Sequence, residues 1–154
     1  MKALYIAIIF LTLSGCASLG PAFTQQEFSS ADKALVYFYR PSRFFQGGGG
    51  PDVYINGVKA FRMHNGSYSH ISLSPGTHLI SPKKHFNWGL DVMDKNINVV
   101  AGKVYYLRMD FSDAGASPII IGGVGTADIS GTTVFNIVDS SVAEEEIVKT
   151  KLVP

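Results

Sequence analysis

The chain of 154 residues carries 13 basic and 12 acidic side chains, which leaves a formal net charge of +1. A charge so near zero, without a basic stripe, argues against nucleic acid as a partner. Sixteen glycines, many aromatic and β-branched residues and few helix-type runs predict an all-β fold. We expect a small antiparallel β-sandwich of about seven to nine strands with a short C-terminal helix.

The first residues have the pattern of a secretory signal peptide. Lys2 supplies one positive charge, residues 3–13 are apolar except for Thr12, and the small residues Ser14 and Gly15 follow. The apolar run is shorter than the roughly 20 residues that a transmembrane helix needs. We therefore predict a signal peptide over residues 1–15.

The only cysteine of the chain, Cys16, follows Leu13-Ser14-Gly15 directly. These four residues resemble the lipobox of bacterial lipoproteins. The resemblance implies that the Cys16 thiol takes a diacylglyceryl group, that a signal peptidase cuts before it, and that an acyl chain such as palmitate caps the freed amine. It also implies a lipid-anchored protein of the bacterial cell envelope. Alanine at position 17 implies the periplasmic face of the outer membrane if the source is Gram-negative.

Residues 16–31 are predicted to be a lipidated tether, and residues 32–154 the β-sandwich domain. The tether is polar, contains Gly20 and Pro21, and shows no sustained period, which is typical of a flexible linker. Phe23 and Phe28 are the exceptions. We expect them to dock on the domain, and insertion into the membrane interface is the alternative.

Three turn motifs organise the first half of the domain. Ala34–Arg40 is apolar on both faces and predicts a central strand. The pairs Asn56-Gly57, Asn65-Gly66 and Pro75-Gly76 follow at intervals of about ten residues. They predict a four-stranded antiparallel meander over residues 52–81.

The second half predicts further strands and the helix. Residues 97–100 and 103–111 form a predicted hairpin, and two short strands at 117–121 and 132–138 enclose a glycine-rich loop at 122–131. That loop is not a dinucleotide fingerprint, because the third glycine is missing and no helix follows. Ser141-Val-Ala-Glu144 fits a capping box with Ser140 as an alternative cap, which predicts a helix of about ten residues. The acids at 144–146 and Lys149 and Lys151 would complement its dipole.

Five sequence pieces occur in an order that resembles a known family. They are Val36-Tyr-Phe-Tyr-Arg-Pro41, Val53-Tyr-Ile-Asn-Gly57, Gly66-Ser-Tyr68, Leu73-Ser-Pro-Gly-Thr-His78 and Ala101-Gly-Lys-Val-Tyr-Tyr-Leu-Arg108. Together they resemble the bacterial lipoproteins of the domain of unknown function 2846. They are also similar to the small β-sandwich domains named after a Pro-Glu-Gly-Ala motif, although that motif is absent. The resemblance implies a small envelope β-sandwich, and it implies no activity and no functional residues.

Side chains for catalysis or metal binding do not form a recognised pattern in the sequence. The histidines, at positions 64, 70, 78 and 85, lack zinc-motif spacing, so we predict no metal site and no cofactor. His70 and His78 could face each other across a hairpin, although two polar residues on an exposed sheet face explain them as well. A nucleophile elbow is absent. Four acids leave a hydrolase of envelope polymers as the alternative function. They are Asp91, Asp94, Asp110 and Asp113.

Two loops mix aromatic and basic residues, which suits stacking on sugars or anchoring of a protein partner. These candidate binding residues are Arg43, Phe44, Phe45, Lys83, Lys84, His85, Phe86 and Trp88. The other interpretation is structural: Phe44-Phe45 plugs the sandwich beside a mobile loop of four glycines, and Phe86 and Trp88 cap the core.

The main functional hypothesis is a non-enzymatic, membrane-anchored binding or structural module. Its partners would be the membrane, through the lipid on Cys16, and an envelope protein or a cell-wall glycan. An exposed strand edge that pairs with another chain is a further possibility.

Overall fold

The structure is a computed structural model that describes residues 20–44, 46–121 and 124–154. It gives only the backbone of residues 114, 116–121 and 124–129. The predicted signal peptide, Cys16 and Phe45 lie outside the described residues.

Strands make up most of the described chain, and one short helix lies near its C-terminal end. The strands are β1 (Ala34–Arg40), β2 (Asp52–Ile55), β3 (Val58–Arg62), β4 (Ser67–Leu73), β5 (Gly76–Lys83), β6 (Asp91–Val92), β7 (Lys95–Val99), β8 (Val104–Ile121), β9 (Val124–Val138) and β10 (Lys151–Leu152). The helix α1 (Ser140–Ile147) lies between β9 and β10.

The strands form two sheets that share one hydrophobic core in a sandwich-like arrangement. The six-stranded sheet has the order β10-β4-β1-β8-β9-β6, and the four-stranded sheet has the order β3-β2-β5-β7. Both sheets contribute buried side chains to the core, among them Val36, Phe38 and Leu107 from the first and Val53 and Ile80 from the second. The all-β prediction is therefore confirmed, and the ten strands of the described residues are close to the seven to nine expected. The expectation of a purely antiparallel arrangement is wrong, because β1–β8, β4–β10 and β6–β9 are parallel pairs.

The prediction of a central strand at Ala34–Arg40 is confirmed, because all seven of its residues are buried. Strand β1 lies between β4, which is antiparallel to it, and β8, which is parallel to it. One face of β1 points to the shared core. The other face belongs to a second cluster around Leu35, Tyr37 and Tyr39, which α1 covers through Ala143 and Ile147.

The predicted four-stranded meander is wrong, because its strands are divided between the two sheets. Strands β2 and β3 form the expected hairpin at Asn56-Gly57. Strand β4, however, pairs with β1 in the six-stranded sheet, and β5 pairs with β2 in the other sheet. The chain thus crosses between the sheets near Asn65-Gly66 and again near Pro75-Gly76.

The predicted loop at 122–131 is also wrong, and the two strands predicted beside it are the ends of longer ones. Strands β8 and β9 are long partners, paired from Tyr106–Val138 to Ile121–Val124 with one irregularity between Ser112 and Gly115. Most of the predicted loop therefore belongs to β9. Beyond Arg108, β8 pairs only with β9 among the described strands.

The C-terminal helix is present, but it begins and ends differently from the prediction. The N-cap is Asp139, whose carboxylate accepts hydrogen bonds from the backbone N–H and the hydroxyl of Ser141. These two bonds lower the pKa of Asp139. Since α1 ends at Ile147, Lys149 lies after the helix and Lys151 lies in β10, so the predicted complement to the dipole is not realised. Within the described ranges, no helix combines the length and apolar character that a bilayer crossing requires.

The described part of the predicted tether, residues 20–31, contacts the sheets at several points. Gly20 N–H donates to the Leu152 carbonyl at 2.7 Å, and Leu152 N–H donates to the Pro21 carbonyl at 2.9 Å. The Phe23 ring packs edge-on against Tyr37 and Tyr68, with centroids 5.3 and 5.1 Å away. Phe23 and Phe28 thus dock on the second cluster, as expected.

Candidate functional site

The two loops that carry the candidate binding residues lie together at one end of the sheets. Residues 41–51 connect β1 to β2, and residues 84–90 connect β5 to β6. We call this pair of loops the loop end. Asn87 Nδ2 donates to the Gly48 carbonyl across the two loops at 3.4 Å. The sequence spacing of about 40 residues gave no sign of this contact.

Arg40, the last residue of β1, holds the loop end from inside. Only 1% of its surface is exposed. Its guanidinium donates to the Gly49 carbonyl at 2.7 Å and to the Gln46 carbonyl, and it lies 4.9 Å from the centre of the Trp88 ring. Sequence analysis missed this residue, and its only signal was a charged side chain at the end of an apolar strand.

The charge of Arg40 has no carboxylate partner among the described residues. Burial, with a smaller contribution from the charge of Arg43, lowers the pKa of Arg40 to about 10. Backbone carbonyls and aromatic faces take the place of a counterion, because both present partial negative charge to the guanidinium.

The glycines of the loop serve close packing. A Cβ atom on Gly49 would overlap the Asn87 carbonyl, and one on Gly50 would overlap the Met63 carbonyl. Glycine is therefore required at both positions for the backbone segments to approach each other. The sequence predicted a mobile loop and gave no indication of this packing.

The aromatic residues of the loop end divide into one buried ring and two exposed ones. Trp88 is 3% exposed and donates its Nε1–H to the Thr133 hydroxyl at 3.0 Å, so it caps the core as the structural interpretation predicted. Phe44 and Phe86 are 105% and 93% exposed. The plug predicted for Phe44 and the cap predicted for Phe86 are therefore wrong, and both rings face solvent.

The basic residues of the loop end differ in their contacts. Arg43 lies 4.0 Å from Asp110, and Lys84 forms a 2.6 Å ion pair with Asp91. His85 shares a 3.0 Å hydrogen bond with Asn87 and packs against the Phe86 ring at 4.4 Å. Lys83, at the end of β5, is exposed.

Apart from the loop end, a group of polar side chains lies under α1, on the outer face of the six-stranded sheet. The Tyr39 hydroxyl donates to Glu146 at 2.6 Å, and Arg108 bonds both Glu146 and Asp110. Burial, followed by the bond to Glu146, raises the pKa of Tyr39. Burial and the charge of Glu144 raise the pKa of Tyr106 to about 12. These contacts fasten the helix to the sheet.

The residues considered for catalysis are dispersed. His70 pairs with Tyr37 of β1, whereas His78 lies in the other sheet and bonds Asn56 and the Ser74 carbonyl, so the suggested pair across a hairpin is wrong. Asp91 and Asp110 are each held by basic side chains. Across the described ranges there is no group of three potential metal ligands and no ligand-sized cavity.

Comparison with known families shows which family the chain matches. The model of a family described as protein of unknown function, DUF2846, matches residues 30–124, which is more than half of the chain. The matched part contains β1 to β8 and therefore the whole loop end. No curated protein and no solved structure matches this chain.

Proposed function

The chain belongs to the DUF2846 family, and from that premise we propose a lipid-anchored, non-catalytic module of the bacterial envelope. In this proposal the module binds a partner through its loop end. The lipid is carried by Cys16, and the module occupies the periplasmic face of the outer membrane in a Gram-negative source. Its partner would be an envelope component, with the membrane, a protein and a cell-wall glycan as the candidates. A complete β-sandwich that is similar to the Pro-Glu-Gly-Ala-type domains is part of the same proposal.

The full exposure of Phe44 and Phe86 is the observation that carries the binding part of this proposal. A phenyl ring has no polar atom to compensate for its contact with water, so two exposed rings on adjacent loops favour an interaction surface. The base beneath them is held in place by Arg40, Asn87 and the packed glycines. A rigid base lowers the entropy that would be lost on binding.

The anchor part of the proposal is supported by the sequence around Cys16. Replacing the residue that accepts the lipid, Cys16→Ser, should abolish fatty-acid labelling and leave an unprocessed or mislocalised precursor. Ser14→Ala is the matched control, because it keeps the thiol and a small residue at the processing site. Normal membrane attachment of the Cys16→Ser variant would refute the anchor.

The binding part is tested by crosslinking in the native envelope. A photo-reactive phenylalanine analogue at position 44 or 86 should form adducts that the same analogue at Val58 does not form. Val58 is a fair control because it is also exposed, at 71%, and lies in β3, remote from the loop end. Equal crosslinking from all three positions would refute a specific surface.

The alternative of a hydrolase acting on envelope polymers has no comparable support. The four acids and the histidine pair on which it depends do not converge among the described residues. No observation therefore raises it above the binding module.

A further inference from the structure

We infer that the loop end is a membrane-contact surface, whose Phe44 and Phe86 rings enter the lipid interface of the bilayer that holds the anchor. The inference rests on the proposed lipid at Cys16 and adds a second attachment at a defined place. Three observations carry it: where the chain joins the sheets, what lies beside that point, and the chemistry of the loop end.

The tether is much shorter than its sequence indicates. Because Gly20, Pro21 and Phe23 are bonded to β10 and its flanking residues, the free part can begin only before Gly20. Four Cα steps separate Cys16 from Gly20, which span at most about 14 Å when fully extended. A lipid on Cys16 therefore holds the sheets against the bilayer surface.

The docked N-terminal segment passes beside the loop end at Ala22. Ala22 forms a β-bridge with Lys151, and Lys151 N–H donates to the Gly66 carbonyl at 3.0 Å. The neighbouring Asn65 bonds both the N–H and the carbonyl of Arg43, each at 2.9 Å. Since adjacent strands are about 4.8 Å apart, the loop that carries Phe44 lies only a few strand spacings from Ala22. Gly20, which bonds Leu152, lies about 7 Å farther from the loop end along β10. The span of at most about 14 Å between Cys16 and Gly20 is long enough to cover that distance.

The chemistry of the loop end suits the lipid interface and leaves Asn87 unable to serve a glycan. A glycan requires several hydrogen-bonding side chains around a stacking ring, but the amide of Asn87 is already engaged with Gly48 and His85. Projecting apolar rings beside basic residues such as Arg43 and Lys83 match the apolar and phosphate layers of a bilayer.

The part of β8 beyond Arg108 and the part of β9 paired with it, which we call the β8–β9 ribbon, also suit contact with a bilayer. It leaves the six-stranded sheet next to the loop end, where Arg43 meets Asp110 and Trp88 meets Thr133. Its sequence has no charged residue between Asp113 and Asp128. The uncharged part of the ribbon can approach a bilayer without the cost of dehydrating charges.

The test uses the full-length lipidated protein in vesicles of phosphatidylethanolamine and phosphatidylglycerol. Cys16 is the only native cysteine, so the lipid leaves an introduced cysteine as the single free thiol. Phe44→Cys, Phe86→Cys and the control Val58→Cys each receive the environment-sensitive dye NBD. Lipids with a nitroxide on the acyl chain then quench any dye that enters the interface.

We expect a blue shift of the emission and strong quenching at positions 44 and 86, and neither effect at position 58. Vesicle flotation and labelling of Cys16 are measured on the same samples. Flotation with no quenching at 44 and 86, or with equal quenching at all three positions, would overturn the membrane contact while the anchor stands. Failure to float, with a reactive Cys16 thiol, would instead overturn the proposed anchor.

Discussion

Arg40 places a positive charge inside the protein without a carboxylate to balance it. Its Nε is buried with no hydrogen-bond partner among the described residues, while its terminal nitrogens bond the loop carbonyls. Burying an unbalanced charge lowers the stability of the folded protein. A buried arginine at this position is therefore expected to have a specific structural role. We infer that this role is to fix the loop that carries Phe44.

Truncation of Arg40 should therefore destabilise the protein strongly. Arg40→Ala removes the donors to two carbonyls and leaves a gap against Trp88, so we expect a loss of about 2–4 kcal/mol in the free energy of unfolding. Urea denaturation measures this loss of stability. The fluorescence of Trp88, the only tryptophan, reports it from a ring that Arg40 contacts. Arg43→Ala is the control, because its ion pair is exposed and should contribute less than about 1 kcal/mol. Equal effects of the two changes would contradict the role given to Arg40.

Tyr39 and Tyr106 predict how stability depends on alkaline pH. Both pKa values are raised in the folded protein from the ordinary value of 10.0, and that of Tyr106 reaches about 12. The folded state thus keeps protons that the unfolded state releases. The stabilisation from these hydroxyls is complete below pH 10 and is lost as pH rises through the folded pKa values.

The free energy of unfolding should accordingly fall between pH 10 and about 12. The double variant Tyr39→Phe, Tyr106→Phe should start lower, since it lacks the bonds to Glu146 and Glu144, and should fall less steeply over this window. The lowered pKa of Arg40 acts in the opposite direction, but both proteins share it, so the comparison removes its contribution. Urea denaturation across the window measures both slopes, and parallel slopes would show that other groups control the alkaline transition.

At the scale of elements, turn chemistry was predictable and strand pairing was not. Asn56 and Gly57 adopt φ values of 51° and 83°, as the Asn-Gly hairpin requires. Gly66 and Gly76 also have positive φ, yet the chain changes sheets near both of them. A turn fixes only the local direction of the backbone. Whether the next strand pairs with its neighbour or with β1 depends on residues far away in the sequence.

The β8–β9 ribbon allows a direct test of that pairing. Residues 106–108 of β8 are paired with both β1 and β9, whereas residues 115–121 have only β9 beside them in the described structure. Amide hydrogens in the first group should exchange slowly and those in the second rapidly, because an isolated two-stranded ribbon is marginally stable. Hydrogen exchange with mass spectrometry resolves the two regions. Equal protection would show that another chain or a further element covers the ribbon.

At the scale of the whole molecule, sequence patterns were sufficient for the all-β class, and they singled out two loops that the structure brings together. These patterns did not predict which side chains of the loops are exposed to solvent. Phe86 and Trp88 are two residues apart, yet one ring faces solvent and the other is buried against Thr133 of β9. This difference depends on contacts between segments that are 45 residues apart. The docking of residues 20–23 depends likewise on β10, near the other end of the chain.

The contacts of residues 20–31 with the sheets determine how accessible this part of the tether is to proteases. Glu27 is the only acidic residue between Cys16 and Ala31, so a glutamate-specific protease that cuts the tether releases the sheets from the membrane. Two contacts before Glu27 hold this segment against the second cluster: the Phe23 ring and the 3.2 Å bond from Gln26 N–H to the Tyr37 hydroxyl. Phe28 holds it on the other side of the cleavage site. A protease needs an extended, detached segment, so the wild-type protein in vesicles should be cut slowly.

Phe23→Ser should accelerate this release, because it removes the ring contacts with Tyr37 and Tyr68, each worth about 0.5–1.5 kcal/mol. Their loss corresponds to roughly a tenfold rise in the detached population, or more, when local detachment precedes cleavage. Thr24→Ala, an exposed change in the same segment, should leave the rate unchanged. Release is measured as protein in the supernatant after the vesicles are sedimented. Equal rates for all three proteins would mean that the segment is already detached, and the sheets would then not be held close to the bilayer.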